Sequence, residues 1–194
     1  MQRLPLSLIL SLLPLAATAV PVTLQVRGPD GQPLADAVVA VEVRGRIGKT
    51  GSAKAEMGQR DRQFTPQVLV VQTGTAVNFP NFDTVRHHVY SFSPTKVFDI
   101  KLYSGTPAEP VVFDKPGVAT LGCNIHDRMS AHIIVVDTPL FARTDAQGRA
   151  SLDLPAGEHA LKAWHLAQKQ PQTLQALRLD VPAAGGALTL NLPD

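Results

Sequence analysis

Val22, Leu24 and Val26 alternate with polar neighbours, the period-two signature of a half-buried strand. Asp30-Gly31 supplies a turn, and the apolar run Val38 to Val43 supplies a second strand. After residue 63 the pattern resumes: "QFTPQVLVVQTGTAVNFPNFD" carries Val68, Val70 and Val77 at strand spacing, with Thr73-Gly74 at a turn. "HHVYSFS", "KVFDIKLY", "EPVVFDKPGVATLGC" and "AHIIVVD" follow as further strands, with Lys115-Pro116-Gly117 making a hairpin corner. Beyond Pro139, "ARTDAQGRASLDLPAGEHALKAWH" reads as three strands separated by an Asp-x-x-Gly and a Pro-Ala-Gly turn. Short strands at this spacing, punctuated by 16 prolines and 14 glycines, predict an all-β chain of sandwich type.

The first residues break the pattern. A start carrying Arg3, an apolar stretch from Leu4 to Leu15 and the small-x-small site Ala17-Thr18-Ala19 read as an export signal over residues 1–19. That stretch is too short for a membrane span and is interrupted by Pro5 and Pro14; no later run reaches the roughly 20 apolar residues a span needs. About 175 residues remain after cleavage, enough for one large or two small domains. The net charge of +2 gives no broad basic surface of the kind nucleic-acid binding requires. Residues 44–63 form the one basic run, with Arg44, Arg46, Lys49, Lys54, Arg60 and Arg62 against Glu56 and Asp61. It reads as a solvated loop or linker, with an electrostatic landing strip as the rival.

Candidate chemistry centres on "LGCNIHDRMSAHIIVVD", which holds the only cysteine of the chain. A lone thiol in an oxidising compartment is a liability unless buried or ligated. On a turn joining two strands, Cys123, His126 and Met129 can converge on one point, and thiolate, imidazole and thioether form a soft ligand set. With one more imidazole this is the set of a blue-copper site. "RHHV" offers His87 and His88. If Val89 points into the core, strand alternation puts His87 on its face and His88 on the other, so His87 is the expected fourth ligand. Asp83, Arg86, Asp127 and Arg128 read as solvated charges or docking groups, and Pro80, Phe82 and Ile125 as an apolar rim. His132 is expected to face solvent or a partner.

The stretch "VLVVQTGTAVNFPNFDTVRHHV … VVFDKPGVATLGCNIHDRMSAHIIVVD" resembles a cupredoxin of the plastocyanin and amicyanin type, with the short C-x-x-H-x-x-M loop. The resemblance covers roughly residues 63–137. It implies a Greek-key sandwich with one mononuclear type 1 copper ion held by His87, Cys123, His126 and Met129, Met129 axial and His126 the surface exit for electrons. Three departures stand out: His88 where an Asn is usual, Ile125 where a Pro is usual, and Gly122 in place of a bulky aromatic. A second resemblance surrounds the first. "VTLQVRGPDGQPLADAVVAVE" and "FARTDAQGRASLDLPAGEHALKAWH" are similar to the two ends of one transthyretin-like, carboxypeptidase regulatory-like sandwich. The expected division is a signal at 1–19, the first part of that outer sandwich at 20–58, the cupredoxin at 59–137 and the second outer part at 138–194. The cupredoxin is thus inserted in, or packed against, the smaller sandwich. The arrangement also resembles small exported proteins labelled methylamine utilisation proteins.

These readings imply an exported, periplasmic carrier of single electrons between transient redox partner proteins, not an enzyme. The rivals are a copper-sequestration protein that does not cycle, an interaction sandwich with a degenerate site, and a Cys-His hydrolase, for which no orienting group or oxyanion hole is evident.

Overall fold

The computed structural model describes residues 18–43 and 53–193, so the expected signal lies almost wholly outside the described residues, as does the first half of the basic run. Among the described residues the regular structure is all β, in seventeen strands. The chain begins with β1 (Ala19–Arg27), β2 (Val38–Glu42), β3 (Lys54–Glu56), β4 (Gly58–Arg60), β5 (Gln63–Thr65) and β6 (Val68–Gln72). It continues with β7 (Thr75–Asn78), β8 (His87–Ser93), β9 (Lys96–Tyr103), β10 (Val111–Phe113), β11 (Gly117–Gly122) and β12 (Ser130–Val136). The last five are β13 (Phe141–Arg143), β14 (Arg149–Pro155), β15 (Gly157–Trp164), β16 (Gln175–Val181) and β17 (Gly186–Asn191).

Four sheets stack as layers, in the order β14-β1-β17, then β13-β2-β15-β16, then β6-β12-β11-β8-β9, then β10-β7-β3; β4 and β5 form a separate hairpin. Three apolar cores fill the gaps. Val22, Leu24 and Val26 of β1 meet Val39 and Val41 of β2 and Leu161 of β15 in the first core. Val38 and Ala40, on the opposite face of β2, meet Val118, Ile134 and Val136 in the second, together with the fully buried Trp164. Ala131, Ile133 and Val135, on the opposite face of β12, meet Val77, Phe79, Val89, Phe113 and Leu121 in the third. Period-two alternation thus sends successive side chains of β2 and β12 into two different cores. This is why "VVAV" and "IIVV" are continuously apolar.

The first two of these sheets form a flanking sandwich and the last two, with the β4–β5 hairpin, the one that is central in chain order. The chain leaves the flanking sandwich after β2 and returns at β13, which pairs directly with β2. Thr144 closes this point: its hydroxyl accepts from the Ala37 amide at 2.9 Å and donates to the Leu34 carbonyl at 2.6 Å. Thr138 adds a hydroxyl bond to the Val41 carbonyl at 2.6 Å. Residues 53–65 are not a bare linker. β3 pairs in parallel with β7, and Met57 and Phe64 are buried in the third core, so these residues belong to the central sandwich.

Candidate metal centre

β11 and β12 pair antiparallel up to Gly122 opposite Ser130, leaving residues 123–129 as the loop between them. The loop is tight. The Cys123 amide donates to the Met129 carbonyl at 3.2 Å and the Met129 amide to the His126 carbonyl at 2.9 Å. Cys123 and Met129 are therefore drawn into the third core, 5 % and 2 % exposed, while His126 stays half-buried and its neighbours Ile125 and Asp127 are exposed.

The fourth residue comes from the first position of β8. His87 is fully buried and sits across a bulge in the β8–β9 pairing that separates it from Val89. Its imidazole turns inward, with Nδ1 3.9 Å from the Cys123 sulfur, and His126 Nδ1 lies 3.7 Å from the same sulfur. The two rings are 5.0 Å apart. His88 turns the other way, to the Asp99 carboxylate and the Tyr90 ring.

The ligand atoms of His87, Cys123 and His126 all lie within 4.8 Å of one another. Bonds of about 2.0–2.3 Å meeting at tetrahedral to trigonal angles put nitrogen and sulfur donors about 3.6–3.8 Å apart around one ion. The sulfur–nitrogen separation to His126, 3.7 Å, falls in that span and the one to His87, 3.9 Å, lies 0.1 Å beyond it, and the thiol is unpaired by any disulfide. The residues fit a copper ion, with Met129 buried beside Cys123 in the same core.

Three residues around this cluster carry roles the sequence pattern did not reveal. Asp83 is not a solvated charge: its Oδ2 lies 2.7 Å from His87 Nε2, and its two oxygens accept the Asp61 amide at 2.7 Å and the Arg62 amide at 3.0 Å. Desolvation pushes the Asp83 carboxyl up, but the Arg62 amide, His87 and the Asp61 amide outweigh it and hold it below the ordinary carboxylate value. With Nε2 hydrogen-bonded to the Asp83 carboxylate, Nδ1 is the ring nitrogen that faces Cys123.

Tyr90 explains Gly122. A Cβ at residue 122 would stand 2.7 Å from the Tyr90 Cζ and Oη, so the phenol ring of the neighbouring strand fills the space that an aromatic before the cysteine would take. Tyr103, across from His87 on β9, donates to the Phe79 carbonyl at 2.6 Å and receives the Gln59 amide. Burial pushes its phenol up to about 12, the charge of Cys123 adding to the rise, so it remains a proton donor.

The expected rim is partly confirmed: Phe82 is 52 % exposed, with the Arg60 guanidinium 4.9 Å above its ring, and Ile125 is 48 % exposed, but Pro80 is buried. His132 faces solvent only in part. It is half-buried against Trp164 on the far side of β12 from the cluster.

No protein-family model matches the chain, and no curated protein matches it. Among solved structures it is similar to a purple cupredoxin from Nitrosopumilus maritimus at 22 % identity, over 44 % of this chain and 100 % of that one, with a TM-score of 0.37. Amicyanin from Paracoccus versutus is similar at 16 % identity, over 50 % of this chain and 97 % of that one, with a TM-score of 0.39. The Cu-containing nitrite reductase from Thermus scotoductus SA-01 is similar at 23 % identity, over 50 % of this chain and 25 % of that one, with a TM-score of 0.41. These structural neighbours are thus cupredoxins and a copper-containing nitrite reductase.

Proposed function

We propose that this chain is a type 1 copper protein that carries single electrons between redox partners outside the cytoplasm, as the export segment expected at residues 1–19 implies. The single supporting observation is the convergence of His87 Nδ1, Cys123 Sγ and His126 Nδ1 at the spacing one ion requires. A bound copper ion supplies a one-electron couple between Cu(II) and Cu(I). Cys123, as thiolate, and the imidazoles of His87 and His126 would hold the ion, with the Met129 thioether as a further, weaker donor. Burial of Cys123, His87 and Met129 excludes water and restrains the donors, which keeps their rearrangement between the two oxidation states small.

His126 is the half-buried donor at the surface, between the exposed Ile125 and the exposed Asp127, so its ring edge is where electrons would enter and leave a bound ion. Phe82 and Val85, exposed on the loop before His87, and Ile125, exposed beside His126, would offer a small apolar contact to a transient partner. The central sandwich is an insertion between the two parts of the flanking one, which resembles a carboxypeptidase regulatory-like domain. The chain transforms no substrate in this reading.

Copper reconstitution of the signal-free protein tests it. An intense visible charge-transfer band, bleached by reductant, restored by oxidant and absent in Cys123→Ser, is the expected result. A colourless protein that holds Cu(I) without reversible oxidation would replace transport by storage, and failure to bind copper would remove the reading altogether.

A further inference from the structure

Asp83 is held by more than its partner histidine. β4 and β5 are joined by the two-residue turn Asp61-Arg62, and both residues lie in the left-handed region, at φ 54° and 57°. Turns with positive φ at both central positions strongly favour Asn-Gly or Asp-Gly, because a side chain there costs roughly 1–3 kcal/mol of local strain. This chain places Arg62 at the position where glycine is usual. In that conformation the two successive amides converge on the Asp83 carboxylate, at 2.7 Å and 3.0 Å.

The loop leading to His87 is fastened along its length to the same hairpin and to β9. The Gln59 amide donates to the Pro80 carbonyl, the Phe82 amide to the Gln59 carbonyl, and the Asn81 amide to Gly105, each at 2.8–2.9 Å. The Asn81 side chain donates to the Val85 and Tyr103 carbonyls and accepts the Asp83 amide. Asp83 therefore has little freedom to follow His87; the imidazole must follow the carboxylate.

We propose that Asp83, gripped by the Asp61 and Arg62 amides, is the positioning residue of the metal centre: it fixes the His87 ring and its proton so that Nδ1 is aimed at Cys123 before any metal arrives. The inference rests on the copper reading for what Nδ1 will hold, but the presetting itself is a property of the metal-free chain. The β4–β5 turn becomes an outer support of the site, although its side chains touch no ligand. A carboxylate behind a metal-bound imidazole fixes its tautomer and raises its basicity, and losing it typically costs about 10–100-fold in metal affinity.

Long-range proton–nitrogen NMR correlations on metal-free protein read the His87 tautomer directly, and competition with a Cu(I) chelator reads affinity. The native protein is expected to show His87 protonated at Nε2 only. In Asp83→Ala the tautomer should become mixed and Cu(I) affinity fall about 10–100-fold. Asp83→Asn, which keeps the size of the side chain, is the companion variant should the alanine form fail to fold. The double variant Asp61→Gly/Arg62→Gly should keep both readouts native, since it retains the two amides and suits positive φ.

An unchanged tautomer or unchanged affinity in both Asp83 variants overturns the proposal. So does loss of either readout in a folded double-glycine variant, which would place the grip in the side chains. If the native protein binds no copper, the copper reading fails, and the tautomer measurement alone then decides the role of Asp83.

Discussion

Trp164 and His132 pack with ring centroids 5.1 Å apart and planes tilted by 51°, joining a strand of the flanking sandwich to the strand that leaves the metal loop. The indole is fully buried and its Nε1 donates to the Pro171 carbonyl at 2.7 Å. Trp164→Ala should cost about 3–5 kcal/mol of stability, the range for deleting a buried large aromatic. Because Trp164 packs on the opposite side of the β12 sheet from Cys123, the visible spectrum of the copper form should survive. Urea unfolding beside an absorption spectrum checks both halves of the prediction.

His132 carries a pH dependence of definite sign. Burial holds its pKa below the ordinary 6.5, and the same cause acts on His165 against weaker opposing contributions from the Ala35 carbonyl and Asp36. The groups around His132 are the Thr120 hydroxyl, 3.3 Å from its Nδ1, and Trp164; Arg143, paired with Asp36, reaches the carbonyl of Val68, the residue opposite His132 in β6. The unfolded chain takes up protons below 6.5 while the folded one resists. Stability is therefore greatest above that value and declines as the pH falls toward the depressed folded pKa. His132→Leu should flatten this decline, leaving the His165 share. Urea midpoints at about pH 7.5 and about pH 5.5 measure the difference.

Gly122→Ala should destabilise the protein by about 1–3 kcal/mol, the cost of overpacking, because the new methyl meets the Tyr90 ring at 2.7 Å. The relief is specific: Tyr90→Ser in the same chain should recover most of the loss. A double-mutant cycle in denaturant reads the coupling. Additive losses would mean that the ring does not set the requirement for glycine.

Thr144→Val should cost about 1–3 kcal/mol, since its buried hydroxyl serves one donor and one acceptor on the segment before β2. The loss belongs to the closure of the flanking sandwich, so chemical denaturation should register it while the copper band stays in place.

Much of this was legible in the sequence because its signals are local. Alternation at Val22, Leu24 and Val26 marks β1, and the short spacing of Cys123, His126 and Met129 marks a turn whose donors must lie close. His87 over His88 followed from the face of Val89, although the bulge at this point makes simple alternation a fragile guide. What escaped depends on contacts across strands. Tyr90 lies 32 positions before Gly122, and nothing local says that its ring replaces an absent aromatic. Asp83 stands four residues before His87, a separation with no meaning on an extended chain until the loop curls it back. Lys54 to Gln63 look like part of a charged linker because β3, β4 and β5 are each only three residues long, too short for alternation to show.

β2 and β12 each have apolar walls on both sides, so the central sandwich lacks a water-compatible back. Transplanting residues 54–136 alone would therefore yield a raw, adhesive slab bearing Val68, Val118, Ile134 and Val136, all nearly inaccessible in the intact chain. A miniature version would need those four positions repainted with polar side chains. The flanking sandwich is then less an ornament than the other half of a wall.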